Sequence, residues 1–120
     1  DAAFKGLKTL RTLTSNYDEV APHMYVVRIL SGRRDEFMES LKEKGVSTGI
    51  HYIPNHTHPA FKSYVREALP KSTRLGEEIV TLPLYYDMTK ADVSTVIDAV
   101  LAFEDRHSIA AGLAPESCTA

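Results

Sequence analysis

Short apolar stripes alternate with polar breaks along the chain, and the period of each stripe predicts an element. From Ala2 to about Leu13, the apolar residues Phe4, Leu7, Leu10 and Leu13 recur at three-residue steps, which predicts a helix with one apolar face. Gly6 interrupts that segment at a cost of about 1 kcal/mol relative to alanine. Thr14 to Pro22 is polar and turn-like. His23 to Leu30 is the clearest strand: β-branched and aromatic, apolar on both faces except at Arg28, and so placed as a central strand. Ser31 and Gly32 end it. Arg33 to Lys44 then reads as a helix with Phe37, Met38 and Leu41 facing inward, and Gly45 stands where a left-handed C-terminal cap is needed.

Val46 to Ile53 reads as a second strand, stopped by Pro54. Strand, helix with a glycine stop, and strand make either a βαβ-like or an antiparallel α+β unit. After the histidine-dense loop Asn55–Pro59, a short helix is expected over Ala60 to Ala68. Ser72 is expected to cap another through Glu78, with Leu75 and Ile79 inward. Ile79 to Tyr85 is extended, and Pro83 keeps it from being a fully paired central strand. Thr89 opens the last helix with Asp92 three residues on, a capping box with Asp in place of Glu. Val93, Val96, Ile97, Val100 and Leu101 give its inward stripe. Residues 1–106 are therefore read as one α+β domain, a two-layer α/β sandwich whose small, mostly antiparallel sheet carries helices on one face. Residues 107–120, small and unpatterned, are expected to form a flexible C-terminal tail.

Composition narrows the function classes. With 120 residues, 43% apolar and 25% charged, the chain fits a single domain with a modest core. A net charge of -2 with both signs interspersed leaves no basic stripe for a nucleic-acid backbone. No apolar run nears the roughly 18 residues of a membrane span, and no signal peptide is visible. The single cysteine, Cys118, cannot form an internal disulfide, which suits a reducing cytoplasm. The first residue is Asp1, as expected of a processed product or a piece of a longer chain.

The candidate chemistry lies in one stretch. Three of the five histidines, His51, His56 and His58, fall within eight residues, at a strand end and in the loop after it, beside Tyr52. Three readings compete. The histidines would be nitrogen ligands of an open metal site, although no carboxylate or thiol shares the loop. They would instead face a polar or anionic ligand together with the Tyr52 phenol. Or they are surface histidines of a proline-bounded turn. Arg28, alone among apolar neighbours, suits a carboxylate of a ligand or, more simply, of the protein itself. No Gly-rich phosphate loop, nucleophile elbow or acid–base pair is present.

Taken in order, these pieces resemble one family: His23-Met24-Tyr25-Val26-Val27-Arg28-Ile29, Arg34-Asp35-Glu36-Phe37, Lys44-Gly45-Val46-Ser47-Thr48-Gly49-Ile50-His51-Tyr52, then Pro54, His56, Pro59-Ala60-Phe61, Leu69-Pro70 and Leu82-Pro83-Leu84-Tyr85. The series is similar to the C-terminal portion of the DegT/DnrJ/EryC1/StrS sugar aminotransferases, over roughly His23 to Phe103. The resemblance implies the small C-terminal domain of the aspartate-aminotransferase fold. It also implies pyridoxal phosphate (PLP) as the parent enzyme's cofactor, a nucleotide-sugar substrate aminated from glutamate, and a homodimer. It places His51, Tyr52, His56 and His58 near the active-site mouth as substrate-binding residues. The family's Schiff-base lysine and phosphate cup belong to the larger N-terminal domain, so no catalytic residue, no bound cofactor and no activity are expected of this chain alone. The alternative from another class is a stand-alone α+β module that binds a ligand or dimerises without catalysis. Association into a homo-oligomer is expected in either case, because a domain parted from its neighbour exposes apolar surface.

Overall fold

The computed structural model describes residues 1–112, with side chains placed through Ser108. A short 3-10 turn, Ala2–Phe4, is followed by β1 (Leu10–Thr12), β2 (Tyr25–Ile29) and α1 (Arg34–Glu43). Two further 3-10 turns, Asn55–Thr57 and Pro59–Tyr64, lead to α2 (Pro70–Glu78), β3 (Ile79–Leu82) and α3 (Lys90–Gly112).

The sheet has the order β1-β2-β3, with both pairs antiparallel and β2 in the centre. Residues directly opposite each other share a face. The pairs Leu10↔Ile29, Val27↔Val80 and Tyr25↔Leu82 therefore put one apolar face together. Leu10, Val27, Ile29 and Val80 are buried there against Phe37 and Leu41 of α1 and Val96, Ala99, Val100 and Phe103 of α3. Phe37 and Phe103 meet edge to face, with ring centroids 5.1 Å apart, joining the two helices over the sheet. This is the expected α+β layering, with the sheet antiparallel throughout. The opposite face carries Val26, Arg28, Ile79 and Thr81, none of them fully buried.

The helix ends follow the local sequence. Gly45 has φ +76, and the amides of Gly45 and Val46 bond the carbonyls of Lys42 and Leu41, the paired closure that a left-handed C-terminal residue allows. Val46 then turns into the core. At the start of α3, the Asp92 carboxylate accepts from the Thr89 amide (2.8 Å) and hydroxyl (2.7 Å), while Thr89 Oγ1 accepts from the Asp92 amide. The expected capping box is thus formed, and the Thr89 hydroxyl and amide hold the Asp92 carboxyl below its ordinary range.

Several expectations are corrected. The N-terminal helix is only the turn Ala2–Phe4: Gly6 adopts φ +84 and Leu10–Thr12 pairs with β2 instead. Sheet pairing overrides the three-residue apolar spacing because Leu10 gains a cross-strand partner in Ile29. Val46–Ile53 is not a strand, and only Gly49 bridges Thr81. The helix expected over 60–68 is a 3-10 turn ending at Tyr64. Finally, Leu75 and Val93 are exposed, whereas Gly76 is the buried residue of α2. α3 runs on to Gly112 through residues assigned above to the tail, and 113–120, with Cys118, lie outside the described residues.

Candidate functional site

The segment from Val46 to Pro59 leaves the core after Val46, touches the edge of β3 once at Gly49, and then runs outward. Gly49 exchanges both main-chain hydrogen bonds with Thr81, at 3.1 and 2.8 Å. That bridge brings His51 beside Thr81, whose Oγ1 lies 3.0 Å from His51 Nδ1. The space is tight: a Cβ on Gly49 would come within 2.6 Å of His51 Cε1. Tyr52 stands edge-on to the His51 ring at 5.2 Å and is 71% exposed. Both rings line an open cleft of about 860 Å³ together with His23, Thr81, Tyr85 and Asp92.

His56 occupies a different place. Its Nε2 lies 2.8 Å from Thr73 Oγ1 on α2, and it lines a second cleft of about 560 Å³ with Phe61, Tyr64 and Arg66. α2 lies close against this loop because Gly76 has no side chain. A Cβ there would sit 2.3 Å from Pro54 Cγ. His58 turns to a third partner, its Nδ1 accepting the Ala60 amide at 3.3 Å and capping the Pro59–Tyr64 turn. The three histidines thus lie in two different clefts and at a cap. Among the described residues no group of three or more His, Cys, Asp or Glu side chains could hold a metal ion.

Arg28 is engaged within the chain. Its Nε (2.8 Å) and Nη2 (2.6 Å) both donate to Glu78 Oε2, tying the centre of the sheet to the end of α2. The carboxylate partner is thus the protein's own.

Sequence reasoning did not single out Thr73 or Thr81, the residues that orient His56 and His51. Their role depends on strand register and on how α2 docks, and no local motif carries it. Nor did it single out Glu104 and His107 on α3. The Glu104 carboxylate accepts from the Lys8 and Thr9 amides and the Thr9 hydroxyl. Burial works to raise its carboxyl, but these donors outweigh it and hold it below the ordinary range. His107 contacts Glu36 of α1 through Nε2 and the Phe103 carbonyl through Nδ1, both at 2.7 Å.

Neither histidine-bearing cleft fits pyridoxal phosphate. All seven lysines are exposed, and none lines either histidine-bearing cleft, so no lysine is placed to bind the cofactor's aldehyde there. Among the described residues, no helix is long and apolar enough to cross a membrane.

Known structures share this fold. DesV from S. venezuelae is 27% identical with a TM-score of 0.77, and the match covers 88% of this chain and 29% of that one. The aminotransferase TlmJ from Streptoalloteichus hindustanus is 28% identical with a TM-score of 0.73, over 90% of this chain and 30% of its own. Spr1654 from Streptococcus pneumoniae, solved in a PLP form, shares the fold at 21% identity and a TM-score of 0.77, over 88% of this chain and 28% of that one. The chain therefore spans less than a third of the length of the structures it matches. The sequence model of the DegT/DnrJ/EryC1/StrS aminotransferases matches residues 1–101, and the chain belongs to that family.

Proposed function

We propose that this chain is the small C-terminal domain of a PLP-dependent sugar-nucleotide aminotransferase, moving an amino group from glutamate to a keto sugar. In this reading it supplies a substrate-facing wall and does not catalyse alone. The observation that carries the proposal is the asymmetry of coverage. About nine-tenths of this chain matches under a third of DesV and of the aminotransferase TlmJ, while its lysines stay clear of the two histidine-bearing clefts. Held in a larger domain, the cofactor would supply the electron sink of transamination.

This chain's own residues bind and orient. His51, steadied by Thr81, and the exposed Tyr52 phenol offer hydrogen bonds to a polar ligand over the larger cleft. His56 does the same over the second. The Nδ1 of His58 is occupied by the Ala60 amide, which leaves its Nε2–H as a donor. Arg28 acts through Glu78, setting α2 and therefore the His56 partner in place. Tyr52, Ile53, Tyr64 and Tyr86 are exposed apolar or aromatic side chains on the histidine side and the β3–α3 connection. We assign them to contact with a larger domain or a second copy, so the chain alone should self-associate in light scattering.

The test is to express the whole reading frame that encodes this segment and assay glutamate-dependent amination of keto sugar nucleotides. His56→Ala should then raise KM for the sugar nucleotide about tenfold, as expected for a lost ligand hydrogen bond. Transamination by the 120-residue chain alone would sink the division of labour proposed here.

A further inference from the structure

Thr73 meets two groups with one proton to give. Its Oγ1 lies 3.0 Å from the Leu69 carbonyl oxygen, one turn earlier, and 2.8 Å from Nε2 of His56. A hydroxyl has a single O–H, whereas a carbonyl oxygen only accepts. If Thr73 gave its proton to the imidazole, two oxygens would face each other at 3.0 Å with lone pairs opposed. If it gives the proton to Leu69, whose carbonyl also accepts the Thr73 amide at 2.9 Å, that repulsion is removed and the remaining contact requires an N–H from the ring. Both contacts are hydrogen bonds only when His56 carries its proton on Nε2. In the neutral ring the other nitrogen is then an unprotonated acceptor. Among the described residues, Nδ1 of His56 has no hydrogen-bond partner.

We infer that Thr73 is a positioning residue that holds His56 as the Nε2–H tautomer, so that the ring presents Nδ1 as an acceptor to a hydroxyl donor of the ligand. This rests on the reading of His56 as substrate-facing and makes it more specific. A lone pair at Nδ1 selects a hydroxyl and disfavours a phosphate oxygen, which brings lone pairs of its own. The surrounding chemistry divides in the same way. Phe61 and Tyr64 offer aromatic surface suited to the C–H faces of a sugar ring, and Arg66 is the group in that cleft suited to an anion. Thr73 is thereby a specificity determinant that never touches the ligand.

The test is a long-range proton–nitrogen correlation spectrum of the 15N-labelled chain at about pH 8, above the ordinary histidine range. It distinguishes protonated from unprotonated ring nitrogens at each histidine. In the wild type, His56 should show a protonated Nε2 with an exchange-protected proton and an unprotonated Nδ1. Thr73→Val keeps the shape and removes the acceptor, so the protected proton should vanish and the two tautomers should mix. Thr73→Ser should restore the wild-type pattern. A protonated Nδ1 in the wild type, or a Thr73→Val spectrum unchanged at His56, overturns the inference. The wild-type and Thr73→Ser spectra decide this even where Thr73→Val fails to fold. Methyl α-glucopyranoside and inorganic phosphate are then titrated separately. The sugar should shift the Nδ1 resonance and phosphate should not. With the tautomer as inferred, an Nδ1 that ignores the sugar overturns the substrate-facing reading and leaves the role of Thr73 standing. With the wrong tautomer, the inference falls whatever binds.

Discussion

Removing the Glu104 carboxylate should loosen the N-terminal arm more than any surface charge change would. Glu104 is 7% exposed, and its two oxygens accept from the Lys8 amide (2.6 Å), the Thr9 amide (3.0 Å) and the Thr9 hydroxyl. These donors lie about 95 residues away in sequence, immediately before β1, so this carboxylate is what fixes the edge strand to α3. Hydrogen bonds to a charged group contribute about 1.5–3 kcal/mol each, and shared acceptors are not additive. Lys8 is exposed, so its freed amide can turn to water, whereas half-buried Thr9 has less recourse. Glu104→Ala should therefore cost about 2–4 kcal/mol. For a domain of this size that is a fall in melting temperature of roughly 8–16 °C. Glu104→Gln keeps one acceptor and should lose about half as much. The pH dependence has a definite sign. The folded-state carboxyl is held below its ordinary value, so its contribution is complete above about pH 4.3 and is lost as pH falls through the folded value. Thermal melts across that range, with hydrogen exchange at the Lys8 and Thr9 amides, read both effects. A Glu104→Ala chain that melts within about 2 °C of wild type, with those amides still protected, would refute the reasoning.

Three further outcomes follow from the same geometry. His107 lowers the Glu36 carboxyl chiefly through their hydrogen bond, so His107→Ala should move Glu36 up toward the ordinary carboxylate range in a 13C titration. Because the Glu36 shift is downward, the stability it carries is lost on acidification, and His107→Ala should remove that part of the acid sensitivity. Gly76→Ala, normally a gain in a helix, should here cost about 1–3 kcal/mol by overpacking against Pro54, and should shift the His56 resonances as the loop moves away. Thr89→Ala should cost about 1 kcal/mol in urea denaturation, and Thr89→Ser much less, because the serine keeps the capping oxygen.

Elements whose determinants are local were legible in the sequence. The central strand, the glycine closure of α1 and the Thr89–Asp92 box each depend on a few adjacent residues, and each formed as expected, with small differences at the ends. Elements decided by distant partners were not. Phe4, Leu7 and Leu10 have a helical spacing, but Leu10 pairs with Ile29, nineteen positions on, and cross-strand burial outweighs a weak helix containing a glycine. Val46 to Ile53 has strand composition, yet the edge of β3 takes only Gly49, and the rest turns outward into the histidine loop.

The same division runs through the candidate site. The histidines attract notice by residue type, and the family resemblance assigns them a face, but what each ring can do is set by a partner that no motif marks. Thr81 reaches His51 because of strand register, and Thr73 reaches His56 because α2 lies against Pro54 at a glycine. Gly76 shows how a local cost becomes a positional requirement. In isolation it weakens α2, but with any side chain the helix could not approach the loop, and Thr73 would not meet His56. The orientation of each ring at this surface therefore depends on two threonines and a glycine that no local motif marks.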